Sequence, residues 1–247
     1  MLHLFRRIGM QDGVPIDGAT GGVCVVPVDG LDQGTAYAYT PLADGVPVAP
    51  ESVFRTDDPR APFAFFVVGD TGGGTANQNA VRDLMLAAPA DFFLHAGDVM
   101  YDYGFDNEFF VPYRDVLPWL AFWPVVGNHD VSTAGGVPWS GFFLTPANNP
   151  AGVPHYYSFD AGNAHFAVID SNQSTVPGSP QYVFLDHDLA ASTALWKFVA
   201  LHHSIYSSGY VHGSNLPIRA NQQSWPLCSL GALLQSCAER MVAVASA

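Results

Sequence analysis

Apolar residues along this chain fall in short runs that stop abruptly at turn residues. Ala64-Phe65-Phe66-Val67-Val68 ends at Gly69-Asp70, and Phe92-Phe93-Leu94 runs out at Gly97-Asp98. Trp123-Pro124-Val125-Val126 ends at Gly127-Asn128, and Phe198-Val199-Ala200-Leu201 at His202-His203. Each run is too short to span a membrane and is bounded by turn signals, so each predicts a strand buried on both faces, as in parallel or mixed sheets. Between the first two runs, Val81, Leu84, Met85 and Ala88 recur at helical spacing and predict a helix over Gln78–Ala88; a second is predicted within 107–117. Upstream, residues 21–57 alternate apolar and polar positions between turn signals, an all-β pattern. The stretch 57–62 carries prolines and charges and reads as a linker. The tail Met241–Ala247 reads as one more apolar strand. The loops 132–154 and 171–180 are rich in Gly, Pro, Asn and Ser and are predicted to rim a cleft. The fold class is α/β (α+β), with a β segment over 1–60 and the main domain over 61–247.

Chemistry-bearing residues follow these runs directly. In open α/β sheets the site lies beyond the carboxyl ends of the strands, so Asp70, Asp98, Asn128 and His202 are predicted to meet on one edge. A glycine before a ligand removes a Cβ and lets the backbone turn sharply. Oxygen and nitrogen donors suit Fe, Mn, Zn or Mg rather than Fe–S chemistry. One carboxylate can bridge two ions about 3.5–4 Å apart, the spacing of two-metal hydrolases. Alone, a Gly-Asp pair marks a turn, Asn-His is ordinary in loops, and a His pair after a strand is commonly core. Four matches in order, each after an apolar run, carry the metal assignment. Gly72-Gly73-Gly74 is followed by no Lys-Ser/Thr and is not a nucleotide cradle. His95 and His165 lie inside strand patterns and read as structural, and His187 as a helix-surface residue.

Composition narrows the partners. The chain is 49% hydrophobic and 13% charged, which supplies a large core and excludes a disordered polyelectrolyte. The formal net charge of -13, with Lys197 the single lysine, leaves no basic stripe for nucleic acid and little attraction to anionic membranes. A phosphate ester remains compatible, because bound cations would reverse the local sign. No run of eighteen apolar residues predicts a transmembrane span. The opening MLHLFRRIGMQDG lacks the apolar stretch and cleavage site of a signal peptide. Cys24, Cys228 and Cys237 have no metal-framework spacing; a disulfide between the last two and free thiols are both open.

The order GD…GDxxY…GNHD…H, at Gly69-Asp70, Gly97-Asp98 with Tyr101, Gly127–Asp130 and His202, resembles the calcineurin-like metallophosphoesterases. Tyr101 three positions after Asp98 resembles the purple acid phosphatases among them. The similarity also takes in HYYSFDAGNAHFAVIDS at 155–171, QYVFLDHDLAAS at 181–192 and ALHHSIYSSG at 200–209. The resemblance implies an αββα sandwich, preceded by the last strands of a fibronectin-III-like β domain. It implies hydrolysis of a small phosphate monoester at two metal ions, ferric iron plus Zn(II), Mn(II) or Fe(II). It implies Asp70 as ligand of the first ion, Asp98 as the bridge, Tyr101 as a ferric phenolate ligand, and Asn128 and His202 on the second ion. His203 is the lesser candidate of the His pair. His129 would contact the phosphate or protonate the leaving group. Members are often exported, so a secreted or periplasmic setting is the family expectation. The family's Gly-His-x-His motif, which gives one imidazole to each ion, does not occur here, and Val211-His212-Gly213 does not match it. Truncation or a frame shift beyond the last apolar strand is the expectation that follows, with each ion then short of one ligand. A non-catalytic remnant and a phosphodiesterase are the competing readings.

Overall fold

In the computed structural model, residues 26–132, 136–208 and 213–222 are described, together with three strands outside them. Those strands are β1 (Arg6–Ile8) and β2 (Gly22–Cys24), which pair antiparallel, and a last strand introduced below. The β segment continues with β3 (Ala36–Tyr39), a hairpin of β4 (Leu42–Ala43) and β5 (Val46–Pro47), and β6 (Ser52–Arg55), which returns antiparallel to β3. The Tyr39 hydroxyl donates to the Pro118 carbonyl at 2.5 Å, and Asp57 accepts the Gly162 N–H at 2.9 Å, which fastens this segment to the main domain.

Two sheets form the centre of the main domain. The first is parallel, with order β7 (Phe65–Val68), β8 (Phe92–His95), β9 (Ala121–Pro124). The second has order β10 (Tyr157–Ala161), β11 (Ala164–Val168), β12 (Trp196–Ala200), β13 (Met241–Val244); its first pair is antiparallel and the others parallel. The predicted strands are therefore present, displaced by one or two residues, and the tail strand pairs as β13. Successive strand residues point to opposite faces, and this sorts the apolar runs into layers. Phe92 and Leu94 of β8 face Phe159, Phe166 and Val168 of the second sheet and form the inter-sheet core. Phe65 stacks on Phe92 at 4.8 Å and Phe166 on Phe198 at 4.6 Å, while Phe65 meets Phe166 edge-on at 5.2 Å. Phe93 points the other way, into a cluster with Met85, Phe109, Tyr113 and Trp139. Ala167 and Val199 of the second sheet face outward onto Leu185 and Leu189. Continuous hydrophobicity follows because both faces of each sheet are covered.

The covering helices are α1 (Ala76–Leu86), α2 (Asn128–Ser132), α3 (Val137–Phe142), α4 (Pro180–Ala191) and α5 (Leu216–Gln222). Thr75 caps α1 by accepting the Gln78 N–H. The predicted helix is real, but its expected face is corrected. Met85 is buried while Leu84 is 71% and Val81 36% exposed, and Gln78 turns inward instead. The cause is a tertiary bond, in which the Gln78 amide donates to the Glu108 carbonyl at 2.5 Å and sets the roll of the helix. The second predicted helix is a single π-helical turn, Asp106–Phe110, followed by turns. His187 is exposed on α4, and His95 and His165 are buried in strands, as expected. Among the described residues no helix is long and apolar enough to cross a membrane. Cys228, Cys237 and His212, and the side chain of Cys24, lie outside the described residues.

Candidate metal centre

β7, β8, β9 and β12 all end at the same edge, and the chain turns sharply there. Asp70 and Asp98 both adopt left-handed backbone, with φ of 54° and 57°. Such a conformation is uncommon outside glycine and is tolerated best by Asp and Asn. The two turns are tied together, since the Asp70 N–H donates to the Gly97 carbonyl at 3.0 Å and the Gly72 N–H to the Asp98 carbonyl at 3.3 Å. Three glycines make the approach possible. A Cβ at Gly97 would lie 2.6 Å from His202 Nδ1, one at Gly127 would fall on the Asp98 carboxylate, and one at Gly72 would enter the Tyr101 ring.

The carboxylates of Asp70 and Asp98 and the His202 imidazole present ligand atoms that all lie within 4.8 Å of one another. Asp98 is 2% and His202 6% exposed, whereas Asp70 opens to solvent. His202 Nδ1 donates to the Ala96 carbonyl at 2.9 Å, which turns Nε2 inward. Nε2 lies 2.9 Å from Asn128 Oδ1 and 3.5 Å from Asp98 Oδ2. The Tyr101 hydroxyl donates to Asp70 Oδ1 at 3.3 Å. Burial, then the Asp70 and Asp98 charges, hold that phenol well above its usual pKa. His129 donates its backbone N–H to Asp98 Oδ1 at 2.9 Å, its ring lies 4.4 Å from the Tyr101 ring, and its side chain is 46% exposed at the mouth. All six residues expected at the site are thus brought together. His203 is not in the cluster; its Nδ1 and its N–H both bond Ser171 Oγ, fixing the loop after β11.

Two further carboxylates escape the sequence reading. Asp130, fully buried, accepts N–H bonds from Gly127 (2.8 Å), Asp98 (3.0 Å), Val99 (3.1 Å) and Met100 (3.3 Å). Burial, with the Asp98 charge, pushes its pKa up to about 7, while the amide bonds pull it down. Four donors fill its two oxygens and oppose the effect of burial. Glu108, also fully buried, accepts from Tyr101 (2.5 Å), Asp102 (3.1 Å) and Tyr103 (3.0 Å). The signal for Asp130 was its place right after Asn128-His129. For Glu108 it was a carboxylate set directly before Phe109-Phe110 in an aromatic-rich stretch. His95 remains outside the cluster: burial holds its pKa near 3, and its Nε2 meets Thr71 Oγ1 at 2.7 Å. Behind the cleft, His155 bridges Ser140 Oγ (2.9 Å) and Asp170 Oδ2 (3.5 Å), tying α3 to the loop after β11.

The donor set fits hard or borderline metal ions: carboxylate, amide, phenol and one imidazole with its second nitrogen already bonded. Comparisons with known proteins agree. Purple acid phosphatase 22 of Arabidopsis thaliana is 26% identical over 209 residues, covering 78% of this chain and 46% of that protein. Purple acid phosphatase 1 of Ipomoea batatas is 26% identical over 179 residues, covering 62% of this chain and 37% of that protein. The chain thus spans less than half the length of these relatives. The solved structure of a purple acid phosphatase from yellow lupin (Lupinus luteus) seeds superposes with a TM-score of 0.57 at 20% identity, over 66% of this chain and 34% of that one, and supports the mixed α/β fold. The family model for calcineurin-like phosphoesterases matches residues 63–224, well over half of the chain. The protein therefore belongs to the calcineurin-like phosphoesterase family, and within it is purple acid phosphatase-like.

Proposed function

We propose that this chain is the catalytic part of a metal-dependent phosphatase that hydrolyses small phosphate monoesters. The observation that carries the reading is the convergence of Asp70, Asp98 and His202 within 4.8 Å, with Asn128, Tyr101 and His129 around them. Asp70, Asp98 and Tyr101 would hold a ferric ion, and Asp98, Asn128 and His202 a Zn(II), Mn(II) or Fe(II) ion. When bound, such a pair supplies Lewis-acid neutralisation of the phosphate oxygens and an acidified water. The chain's own residues do the rest. Asp98 fixes the separation of the two halves of the site and holds the His129 backbone. His129, half exposed at the mouth, stands where it can give a proton to the departing alkoxide oxygen. His202 is kept in one tautomer by the Ala96 carbonyl. The expected partner is a small phosphate ester, not nucleic acid or a membrane. The β segment over 1–60 we read as the last strands of a fibronectin-III-like domain and a linker, flanking a main domain over 61–247.

A second reading has one observation in its favour. Among the described residues only these three acidic and imidazole donors meet, which suits a weak metal binder with little turnover. The test is metal content, together with hydrolysis of p-nitrophenyl phosphate and bis(p-nitrophenyl) phosphate by the iron- and zinc-loaded chain. Two ions and preferential monoester turnover are expected. Asp98→Ala is expected to lose both ions together, and Asn128→Ala mainly the second. A full pair of ions in Asp98→Ala would overturn the bridging role; fewer than two bound ions with little turnover would favour the second reading, and bis-ester preference a phosphodiesterase.

A further inference from the structure

Six successive backbone N–H groups, from Asp98 to Tyr103, end on just two carboxylates: Asp130 takes the first three and Glu108 the last three. Two expected ligand residues lie within this run, Asp98 at the first Asp130 bond and Tyr101 at the first Glu108 bond. Glu108 comes from a separate element, the π-helical turn Asp106–Phe110, and is 0% exposed. A buried charge is costly unless it is fully bonded. Here three amide donors satisfy it, and among the described residues no cation pairs with it. An apolar residue or a glutamine at this position would carry no buried charge. A side chain in which both atoms accept is what three converging N–H groups require. Glutamine would set an NH2 donor against at least one of them.

From this geometry we infer that Glu108 is a positioning residue for the metal centre, acting through the backbone of Tyr101–Tyr103. This rests on the metal reading given above. The Tyr101 N–H is held by Glu108 Oε2, and the Tyr101 phenol is directed by that backbone toward Asp70. Gly72 leaves the gap that the ring occupies. The turn that carries Glu108 is itself anchored, because its carbonyl accepts the Gln78 amide of α1 and Gly74 lies against the Asn107 carbonyl. Glu108 thus connects the roll of α1 to the direction of a metal ligand. Loss of its bonds would leave the Tyr101 phenol with several orientations and the ion with a ligand that is no longer pre-organised.

The experiment uses the whole chain and Glu108→Gln. Binding of Ga(III), a colourless stand-in for the ferric ion at Asp70, Asp98 and Tyr101, is followed by calorimetry, the ferric form by its visible absorption, and the metal-free proteins by thermal melting. The expected result is a Ga(III) affinity about ten-fold or more below the unmutated chain, a shifted or weakened visible band, and a metal-free melting temperature lowered by a few degrees at most. If affinity stays within twofold and the band is unchanged, Glu108 only supports the fold and the inference is overturned. A flat titration of the unmutated chain would instead sink the metal reading, and Glu108's role with it. Should Glu108→Gln not fold, Glu108→Asp takes its place. It keeps the charge but shortens the reach by one methylene, and the same drop in affinity is expected.

Discussion

At the scale of single residues, the site depends on atoms that are missing as much as on those present. Gly127 has no Cβ because that position is taken by the Asp98 carboxylate. Gly127→Ala must therefore move Asp98 or the chain after β9. Overpacking of this kind costs about 1–3 kcal/mol, which for a chain of this size lowers the melting temperature by several degrees. Metal binding should suffer more than stability, and calorimetric titration beside a thermal melt separates the two. Tyr101 offers the opposite case, in which one oxygen can be removed with little effect on packing. Tyr101→Phe should keep the melting temperature within about 2 °C, since its hydroxyl bond to Asp70 is long and partly exposed. The visible band of the iron-loaded protein should disappear. A band that survives would remove Tyr101 from the ligand set.

At the scale of elements, the second sheet and α4 are joined by an ionic contact far from the metal edge. His165 on β11 donates to Asp160 Oδ1 and Asp188 Oδ2, each at 2.7 Å, and Asp188 also accepts the Ser158 hydroxyl at 2.7 Å. Lys197, beside His165 on β12, is drawn to the Leu189 carbonyl instead. Burial would lower the His165 pKa, but the two carboxylates outweigh it and the net shift is upward. A raised pKa means the folded state binds the proton more tightly than the unfolded chain. The stabilisation is thus fully present below the unfolded value of about 6.5 and fades as pH rises through the higher folded value. His165→Gln should therefore lower the melting temperature clearly at pH 5.5 and much less at pH 9. Melting curves across that range check it, and an equal loss at both pH values would place the effect in packing. β11 shows why this pair was hidden from the sequence. Its run Ala164–Val168 is apolar apart from His165, and the partner carboxylates come from β10 and from α4.

At the scale of the whole molecule, stability rests on the aromatic layer between the sheets. Phe166 stacks on Phe159 at 4.8 Å and on Phe198 at 4.6 Å, and meets Phe65 and Phe92 edge-on at 5.2 and 5.3 Å. It is fully buried, and rings from both sheets lean on it. Truncating a buried Phe costs about 3–5 kcal/mol. For Phe166→Ala this corresponds to a fall in melting temperature on the order of 10 °C. Strand ends from both sheets supply the site: Asp70, Asp98 and Asn128 from the first, His202 from the second. The variant should therefore also bind metal more weakly, by a smaller factor than the Glu108 variant. Calorimetry and a melt on the same sample measure both, and a melting temperature within a few degrees of the parent would show that the layer tolerates a cavity there.

What the sequence determined by itself was the set of strands and the residues at their ends. Buried strands need unbroken apolar runs, and a chain that turns directly after such a run leaves its Gly-Asp or Asn-His at the edge; local chemistry suffices to read that. The mixed α/β fold, the tail strand and the convergence of Asp70, Asp98 and His202 at one edge were legible on this ground. Only the tertiary structure decided which groups hold the site in place. Ala96 and His202 are separated by 106 positions, yet one carbonyl sets the tautomer of that ring. Glu108 and Asp130 look like ordinary surface carboxylates until the loop 98–103 delivers its N–H groups to both. The face that α1 presents was misjudged for the same reason: periodicity weighs apolar side chains, whereas one amide bond from Gln78 to the Glu108 carbonyl turns the helix. Hydrophobic spacing is a local property and survives in one dimension. Satisfying buried polar groups is a property of contacts between distant segments, and it exists only once the chain has closed on itself.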